Sequence, residues 1–438
     1  MEKSANFEKL ISHLEDLELT TVHGRITEVV GMLIKAVVPQ VKMGEVCMVK
    51  KDGEPLMTEV VGFTRDEVYL SPLGDMHGIG PSSEVIPLHM PLHIQVGPQL
   101  LGRILNGLGH PIDVDINGPL NLTETYPIIQ APPDPLKRAL IKEPISVGVR
   151  CIDGVLTCGK GQRMGIFAGA GVGKSTLLGM IARNAKADVN VISLIGERGR
   201  EVREFLENDL GTEGLARSVI IVSTSDQAAQ LRINAAYVGT AIAEYFREQG
   251  KTVILMMDSI TRFARALREI GLAAGEPPAR AGFTPSVFAT LPRLLERSGN
   301  SEKGSMTAFY TILVAGDDIN EPVSDETRSI LDGHIILSNE LARQYHYPAI
   351  DVLASISRIL PNIVDKEHLQ LIGKVREVLA HYKKNELLIR IGEYKPGSDK
   401  GADFAIKYID KVNRFLKQQV DEKSSFEETL QQLRALFR

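Results

Sequence analysis

The sequence predicts an α/β fold: a mostly parallel sheet with helices on both faces, preceded by a small β-barrel and followed by a helical domain. Three observations predict it. Residues 93 to about 362 alternate strand-like and helix-like runs, as crossover-connected parallel sheets do. Residues 21 to about 92 carry short β-rich runs (24–30, 33–38, 45–49, 58–62, 68–71) separated by Gly, Pro and Asp-Gly turns. Residues 363–438 hold apolar stripes at helical spacing.

The elements follow in order. Residues 1–20 place Phe7, Leu10, Ile11, Leu14 and Leu17 on one helical stripe, an amphipathic arm that would pack on its own domain or on a partner. Five acids against two lysines in this arm argue against an anionic membrane surface. The barrel of residues 21–92 offers few aromatic stacking platforms, Phe63 and Tyr69, so a structural role is favoured over RNA binding. Residues 93–362 form the sheet domain. In residues 363–438, Leu371, Val375, Val378 and Tyr382 make one stripe and Ala405, Tyr408, Val412 and Phe415 another. Lys395-Pro396-Gly397-Ser398 separates them, and Ser424 with Glu427 reads as a capping box opening the last helix.

Within the sheet domain, residues 168–176 read Ala-Gly-Ala-Gly-Val-Gly-Lys-Ser-Thr between an apolar run (164–167) and a helix-like run (177–184). Strand, glycine loop, Lys-Ser, helix is the arrangement that cradles a nucleotide's phosphates. The loop (Gly169, Ala170, Gly171, Val172, Gly173) turns backbone N–H groups towards the anion, and the helix start presents more of them. Lys174 would reach the β- and γ-phosphates, Ser175 would bind Mg²⁺, and Thr176 completes the loop. The pattern G-x-x-x-x-G-K-[ST] has its first glycine where this chain has Ala168.

Three further strand ends deliver polar groups to the same edge: Gly196-Glu197-Arg198, Asp258, and Gly316-Asp317-Asp318. Open parallel sheets bind ligands at the carboxyl ends of their strands. Asp258 is the candidate to hold Mg²⁺ through its waters, or else a helix N-cap for the segment from Ser259. Glu197 is the candidate to orient or deprotonate an attacking water, or else an ion-pair partner of Arg198 or Arg200. Arg198 joins the catalytic candidates by adjacency. Arg262 would reach a γ-phosphate oxygen, or else lie on a solvated helix face with Arg265 and Arg268.

Length, charge and cysteine content agree. The chain of 438 residues exceeds one core and implies two or three domains. A net charge of −5 makes no electrostatic case for nucleic acid or anionic lipid. Cys47, Cys151 and Cys158 have no metal-ligand spacing and read as reduced thiols in a cytosolic protein. No signal peptide and no bilayer-spanning apolar run are expected.

Several runs together resemble the hexameric ATPases of bacterial type III protein secretion, which are similar to the catalytic subunit of rotary ATP synthases. They are residues 165–176, 196–205 (Gly-Glu-Arg-Gly-Arg-Glu-Val-Arg-Glu-Phe), 257–264 (Met-Asp-Ser-Ile-Thr-Arg-Phe-Ala), 275–288 (Gly-Glu-Pro-Pro through Val-Phe) and 347–358 (Tyr-Pro-Ala-Ile through Ser-Arg). The resemblance spans residue 20 to the end and implies a central P-loop, RecA-like domain hydrolysing ATP with Mg²⁺. It implies Glu197 as catalytic carboxylate, Tyr347 packing on adenine, Arg358 as an arginine finger reaching the neighbouring subunit, and the Gly-Glu-Pro-Pro loop facing the ring's pore. For Arg358 the alternative is an intrasubunit salt bridge holding the C-terminal domain. Export ATPases commonly carry alanine at position 168, which favours export over ATP synthesis. The implied partners are five further copies in a homohexamer, a central stalk protein, a peripheral regulator, the export gate and sorting platform at the inner membrane, and chaperone–substrate complexes, with no nucleic acid. Within the family, Ile391-Gly392-Glu393-Tyr394 and the lack of an extended N-terminal region lean towards the injectisome rather than the flagellar paralogue. A hexameric RNA translocase and a non-catalytic subunit of a rotary assembly are the other readings. The acidic balance opposes the first, and Lys174 with Glu197 opposes the second.

Overall fold

The computed structural model describes residues 23–51, 53–314 and 320–438. The expected arm of residues 1–20 and the Gly316-Asp317-Asp318 run lie outside the described residues. Two compact units meet in sequence at Leu92 and His93.

The first unit is a closed antiparallel barrel. Its strands are β1 (Gly24–Val30), β2 (Leu33–Val37), β3 (Glu45–Val49), β4 (Leu56–Phe63), β5 (Val68–Pro72) and β6 (Glu84–Pro91), in the spatial order β1-β2-β5-β4-β3-β6. Alternation along each strand sends Ile26, Ile34, Ala36, Cys47, Val49, Val60, Leu70 and Val85 inward. Five of these strands match β-rich runs in the sequence. The sixth, β6, was not expected: Pro87 and Pro91 remove ladder donors and hide the strand pattern. It nonetheless closes the barrel by pairing with both β3 and β1.

The second unit holds an eight-stranded sheet, a two-stranded sheet of β7 (His93–Val96) with β9 (Glu124–Pro127), and another of β10 (Pro144–Ile145) with β11 (Cys158–Gly159). The large sheet contains β8 (Ile104–Asn106), β12 (Arg163–Ala168), β13 (Val189–Glu197), β14 (Ser218–Thr224), β15 (Thr252–Asp258), β16 (Ser305–Leu313), β17 (Gly333–Ile336) and β18 (Ile356–Ser357). Their order is β18-β17-β12-β16-β15-β13-β14-β8, and every neighbouring pair is parallel except β17 with β18. The strands are buried on both faces, which is why they read as continuous apolar runs. Helix α1 (Lys174–Asn184) packs with Ile192, Leu194 and Ile220 on one face. Helix α2 (Ala229–Glu248) covers the other, where Gly239 lies against Ser193 and Ile221. Helix α3 (Ile260–Ala273) packs on α2 and β16.

Short helix α4 (Asn339–Arg343) follows β17. The C-terminal region is helical: α5 (Lys366–Arg390), α6 (Lys400–Leu416) and α7 (Phe426–Ala435). Asp365 and Asp399 cap α5 and α6 by accepting backbone N–H bonds. The two expected stripes point inward, and Val375, Val378, Ala405, Val412 and Phe415 join one continuous core with Ile152, Val155, Ile166 and Ile181 of the sheet domain. One expectation is corrected. The capping box is Ser425 with Glu428, not Ser424 with Glu427. Ser424 is buried one residue earlier, hydroxyl to hydroxyl with Thr429 at 2.9 Å, so it cannot cap.

Arg150 and Gln418 fasten the C-terminal segment to the sheet domain. Arg150 Nε donates to the Phe415 carbonyl at 2.8 Å, its Nη2 donates to Lys417, and its Nη1 pairs with Glu422. The Gln418 side chain accepts from Arg150 N–H at 2.7 Å and donates to the Gly148 carbonyl at 2.9 Å. Its backbone N–H donates to the Tyr347 carbonyl at 3.0 Å.

Candidate active site

Strand β12 ends at Ala168, which pairs with Leu313 and is buried. The chain then turns through Gly169–Gly173 into α1. Gly173 holds φ +88° at the N-cap, a conformation that glycine adopts without strain. Val172 anchors the loop in the core while Ala170, Gly171 and Ser175 are exposed to solvent. The Thr176 hydroxyl turns away to hydrogen-bond Asp209, leaving its backbone N–H on the loop side.

Glu197 and Asp258 end the adjacent strands β13 and β15, with Leu194 opposite Asp258. A bulge between Ile195 and Glu197 breaks the register to β14. Gly196 there sits at φ +69°, which re-aims the Glu197 side chain at the sheet edge. Lys174 Nζ joins the two acids: it contacts Asp258 Oδ1 and lies 3.5 Å from Glu197 Oε1. Thr311 of β16 donates its hydroxyl to Asp258 Oδ1 at 2.8 Å. Arg262 of α3 donates to the Gly196 carbonyl, and its Nη2 lies 3.2 Å from Glu197 Oε2.

The charges set the chemistry. Asp258 is 3% exposed and Glu197 8%. Burial, a hydrogen bond shared with Glu201 and the charge of Asp258 push the Glu197 carboxyl up to about 7, against the pull of Lys174 and Arg262. Glu201 moves the opposite way, down to about 2, because it shares that hydrogen bond and is held by Arg198. The buried carboxyl of the pair is therefore the last of the two to give up its proton as pH rises. A carboxyl poised near neutrality beside a phosphate loop suits a general base.

The nucleotide-binding domain of the "ATP synthase alpha/beta family" matches residues 148–357 and its beta-barrel domain residues 26–89. The "T3SS EscN ATPase C-terminal domain" matches residues 364–435. A type 3 secretion system ATPase of Xanthomonas euvesicatoria is 56% identical over 94% of this chain and 93% of its own length. The chain belongs to the type III secretion ATPase family. A flagellum-specific ATP synthase of Bacillus subtilis is 50% identical, covering 98% of each chain. Among solved structures, the assembled ATPase EscN of enteropathogenic E. coli superposes with a TM-score of 0.90 at 48% identity, over 95% of this chain and all of that one. EscN in complex with its central stalk EscO gives 0.88 at 47%.

Within this family member, the structure separates the remaining candidates. Glu197 pairs with neither Arg198 nor Arg200: Arg198 is 74% exposed and bonds Glu201 at 2.6 Å, and Arg200 bonds Glu204. Asp258 does not cap α3. Ser259 does, accepting the Arg262 N–H. Arg262 leaves the solvated face that Arg265 keeps and turns to Glu197. Tyr347 brings its ring beside the loop, with ring carbons 3.6 and 3.7 Å from where a Gly173 Cβ would stand. Arg358 follows the two-residue edge strand β18, not a long strand, because Asp351 pulls the preceding residues into a turn by accepting from Leu353 and Ala354 N–H. Its guanidinium is exposed and donates to the Arg328 carbonyl, and no carboxylate pairs with it among the described residues. The alternative reading of Arg358, an intrasubunit salt bridge, thus finds no carboxylate among the described residues.

Sequence reasoning missed Thr311 and Glu201. Thr311 is a polar residue within an apolar strand run, which was its signal. Glu201 sits four residues past Glu197, one helical turn beyond the strand end, a spacing that could have named it.

Among the described residues no helix is long and apolar enough to cross a membrane. For Mg²⁺, the residues present fit: the Ser175 hydroxyl and the Asp258 carboxylate are the hard oxygen donors this ion prefers.

Proposed function

We propose that this ATPase hydrolyses Mg-ATP in a homohexameric ring and so energises unfolding, chaperone release and export of proteins through an injectisome. The convergence of Lys174 on both Glu197 and Asp258 beside the phosphate loop carries the reading. Lys174 and the loop N–H groups bind the β- and γ-phosphates, and Glu197 takes the proton of the attacking water. Arg262 orients Glu197 and balances its charge. Ser175 and Asp258 would hold Mg²⁺, which supplies charge neutralisation on the phosphates. Tyr347 packs its ring on the adenine. Exposed Arg358, free of carboxylate partners among the described residues, reaches the neighbour's γ-phosphate as charge spreads in the transition state. Arg198 is oriented by Glu201 and lies outside this set.

The domain division is read as an arm (1–20), a barrel (21–92), an ATPase domain (93–362) and a C-terminal helical domain (363–438). The ring works at the cytoplasmic face of the inner membrane with a central stalk, a peripheral regulator, the export gate and sorting platform, and chaperone–substrate complexes, and it does not bind nucleic acid. The solved EscN–EscO complex supports the stalk. The 50% identity to a flagellum-specific relative keeps flagellar export as the second reading.

A mixing experiment tests the chemistry. Glu197→Gln should retain nucleotide binding and lose ~10²–10⁴ of turnover. Arg358→Ala should lose ~10³ or more. Mixed rings of the two should recover partial turnover, because some interfaces pair an intact Glu197 with a neighbour's intact Arg358. Verified mixed rings without recovery, while each mutant mixed with wild type stays active, would overturn the trans finger.

A further inference from the structure

Helix α4 ends in an unusual way. Gln344 is its last near-helical residue, and the chain closes with two bonds, Tyr345 N–H to the Ala342 carbonyl at 3.1 Å and His346 N–H to the Leu341 carbonyl at 3.0 Å. This pair of bonds defines a helix stop in which the residue between them is left-handed and is usually glycine. Here it is Tyr345, at φ +53°. A bulky aromatic residue is strained in that conformation. Burial does not offset the strain, since Tyr345 is 84% exposed.

Among the described residues the Tyr345 ring has one aromatic neighbour. It meets Tyr347 edge to face, with centroids 6.5 Å apart and planes at 87°. Tyr347 is itself 39% exposed, and its ring edge faces Gly173 of the phosphate loop. Its backbone is pinned by Gln418, so the freedom left to it is the swing of its ring. The Tyr347 ring therefore neighbours both the phosphate loop and Tyr345.

We propose that Tyr345 is a positioning residue for the nucleobase: it braces the Tyr347 ring at the tilt that receives an adenine, and so contributes to purine affinity without touching the phosphates. The proposal rests on the reading that Tyr347 packs on the base. Strain at position 345 is retained where an aromatic brace is needed.

The test uses full-length protein as Tyr345→Gly, Tyr345→Phe and Tyr347→Ala. The readouts are the nucleotide-free melting temperature, KM and kcat for Mg-ATP, and the affinity for inorganic tripolyphosphate, a probe without a base. Tyr345→Gly should melt at or above the wild-type temperature, since glycine relieves the backbone. Its KM for ATP should rise about two- to tenfold, the worth of one edge-to-face pair, with kcat and tripolyphosphate affinity unchanged. Tyr345→Phe should behave as wild type, because the ring and not the hydroxyl is the brace. If Tyr345→Gly keeps the wild-type KM while Tyr347→Ala weakens ATP binding, the brace is refuted and the base-packing reading stands. If Tyr347→Ala also leaves ATP affinity intact, both fail. A Tyr345→Gly variant that melts lower and loses ATP and tripolyphosphate affinity equally would show a loop-holding role instead.

Discussion

The pH dependence of turnover follows from how Glu197 is held. A base must be ionised to accept a proton, and burial with the neighbouring acids keeps this carboxyl protonated up to about 7. The sign is fixed: activity is lost as pH falls through that value. At pH 6 about one-tenth of the population carries the ionised base, so kcat/KM, which reports the free enzyme, should lie about tenfold below its plateau. Arg262 supplies the perturbation. Its guanidinium lies 3.2 Å from Glu197 Oε2 and pulls the carboxyl down. An opposite charge at that range typically lowers a carboxyl by about 1–3 units, and Lys174 shares the task here. Arg262→Gln should therefore raise the midpoint by about one unit, leaving about one-tenth of the base ionised at pH 7. Initial rates of phosphate release at limiting Mg-ATP, from pH 5.5 to 9, measure both midpoints. A wild-type profile flat from pH 6 to 8 would refute the titrating base. A lower plateau in Arg262→Gln with an unmoved midpoint would show that Arg262 acts on the phosphates and not through Glu197.

Two further outcomes concern stability. Burial, with Lys417 nearby, pushes the His346 imidazole down from 6.5 to about 4. The unfolded chain takes up this proton first as pH falls, so stability is lost between about pH 6.5 and 4, by up to about 3 kcal/mol. Denaturant midpoints should fall over that range and fall less in His346→Gln; an identical slope in the variant would place the acid sensitivity elsewhere. Gln418→Leu leaves the Arg150 N–H and the Gly148 carbonyl without their buried partner, so unfolding free energy should drop by about 2–4 kcal/mol. A urea midpoint indistinguishable from wild type would mean that water takes over those bonds.

Much of this fold was legible because its signals are local. The phosphate loop lies between a strand and a helix as its glycines and flanking runs demand, and Glu197 and Asp258 end neighbouring strands as apolar runs followed by acids imply. The register between strands was not legible, since pairing partners lie far apart in sequence. That is why Thr311, one strand over, was not tied to Asp258, whereas Glu201 had the local spacing to Glu197 that could have named it. Arg262 had two readings at equal helical spacing, and only the packing of α3 against β13 chose between them. At position 425 two adjacent serines offered equivalent caps, and burial of the first decided. Nothing in the residue order shows that Tyr345 adopts a glycine's conformation.

The fastening of Arg150 and Gln418 to residues 415–422 bears on how such proteins can be recombined. The family's C-terminal helices look separable in sequence, as a region that could be exchanged between relatives by joining chains near residue 363. Such a junction would pair one parent's residues 148–154 with the other's 415–422. The guanidinium of Arg150 reaches two carbonyls and one carboxylate of that segment, and Phe415 packs against Gly154 so closely that a methyl group there would lie 2.7 Å from its ring. Inheritance here is by matched pairs. A viable chimera must carry the stretch before the phosphate-loop strand together with the C-terminal helices, although 265 to 272 residues of chain separate Arg150 from its partners.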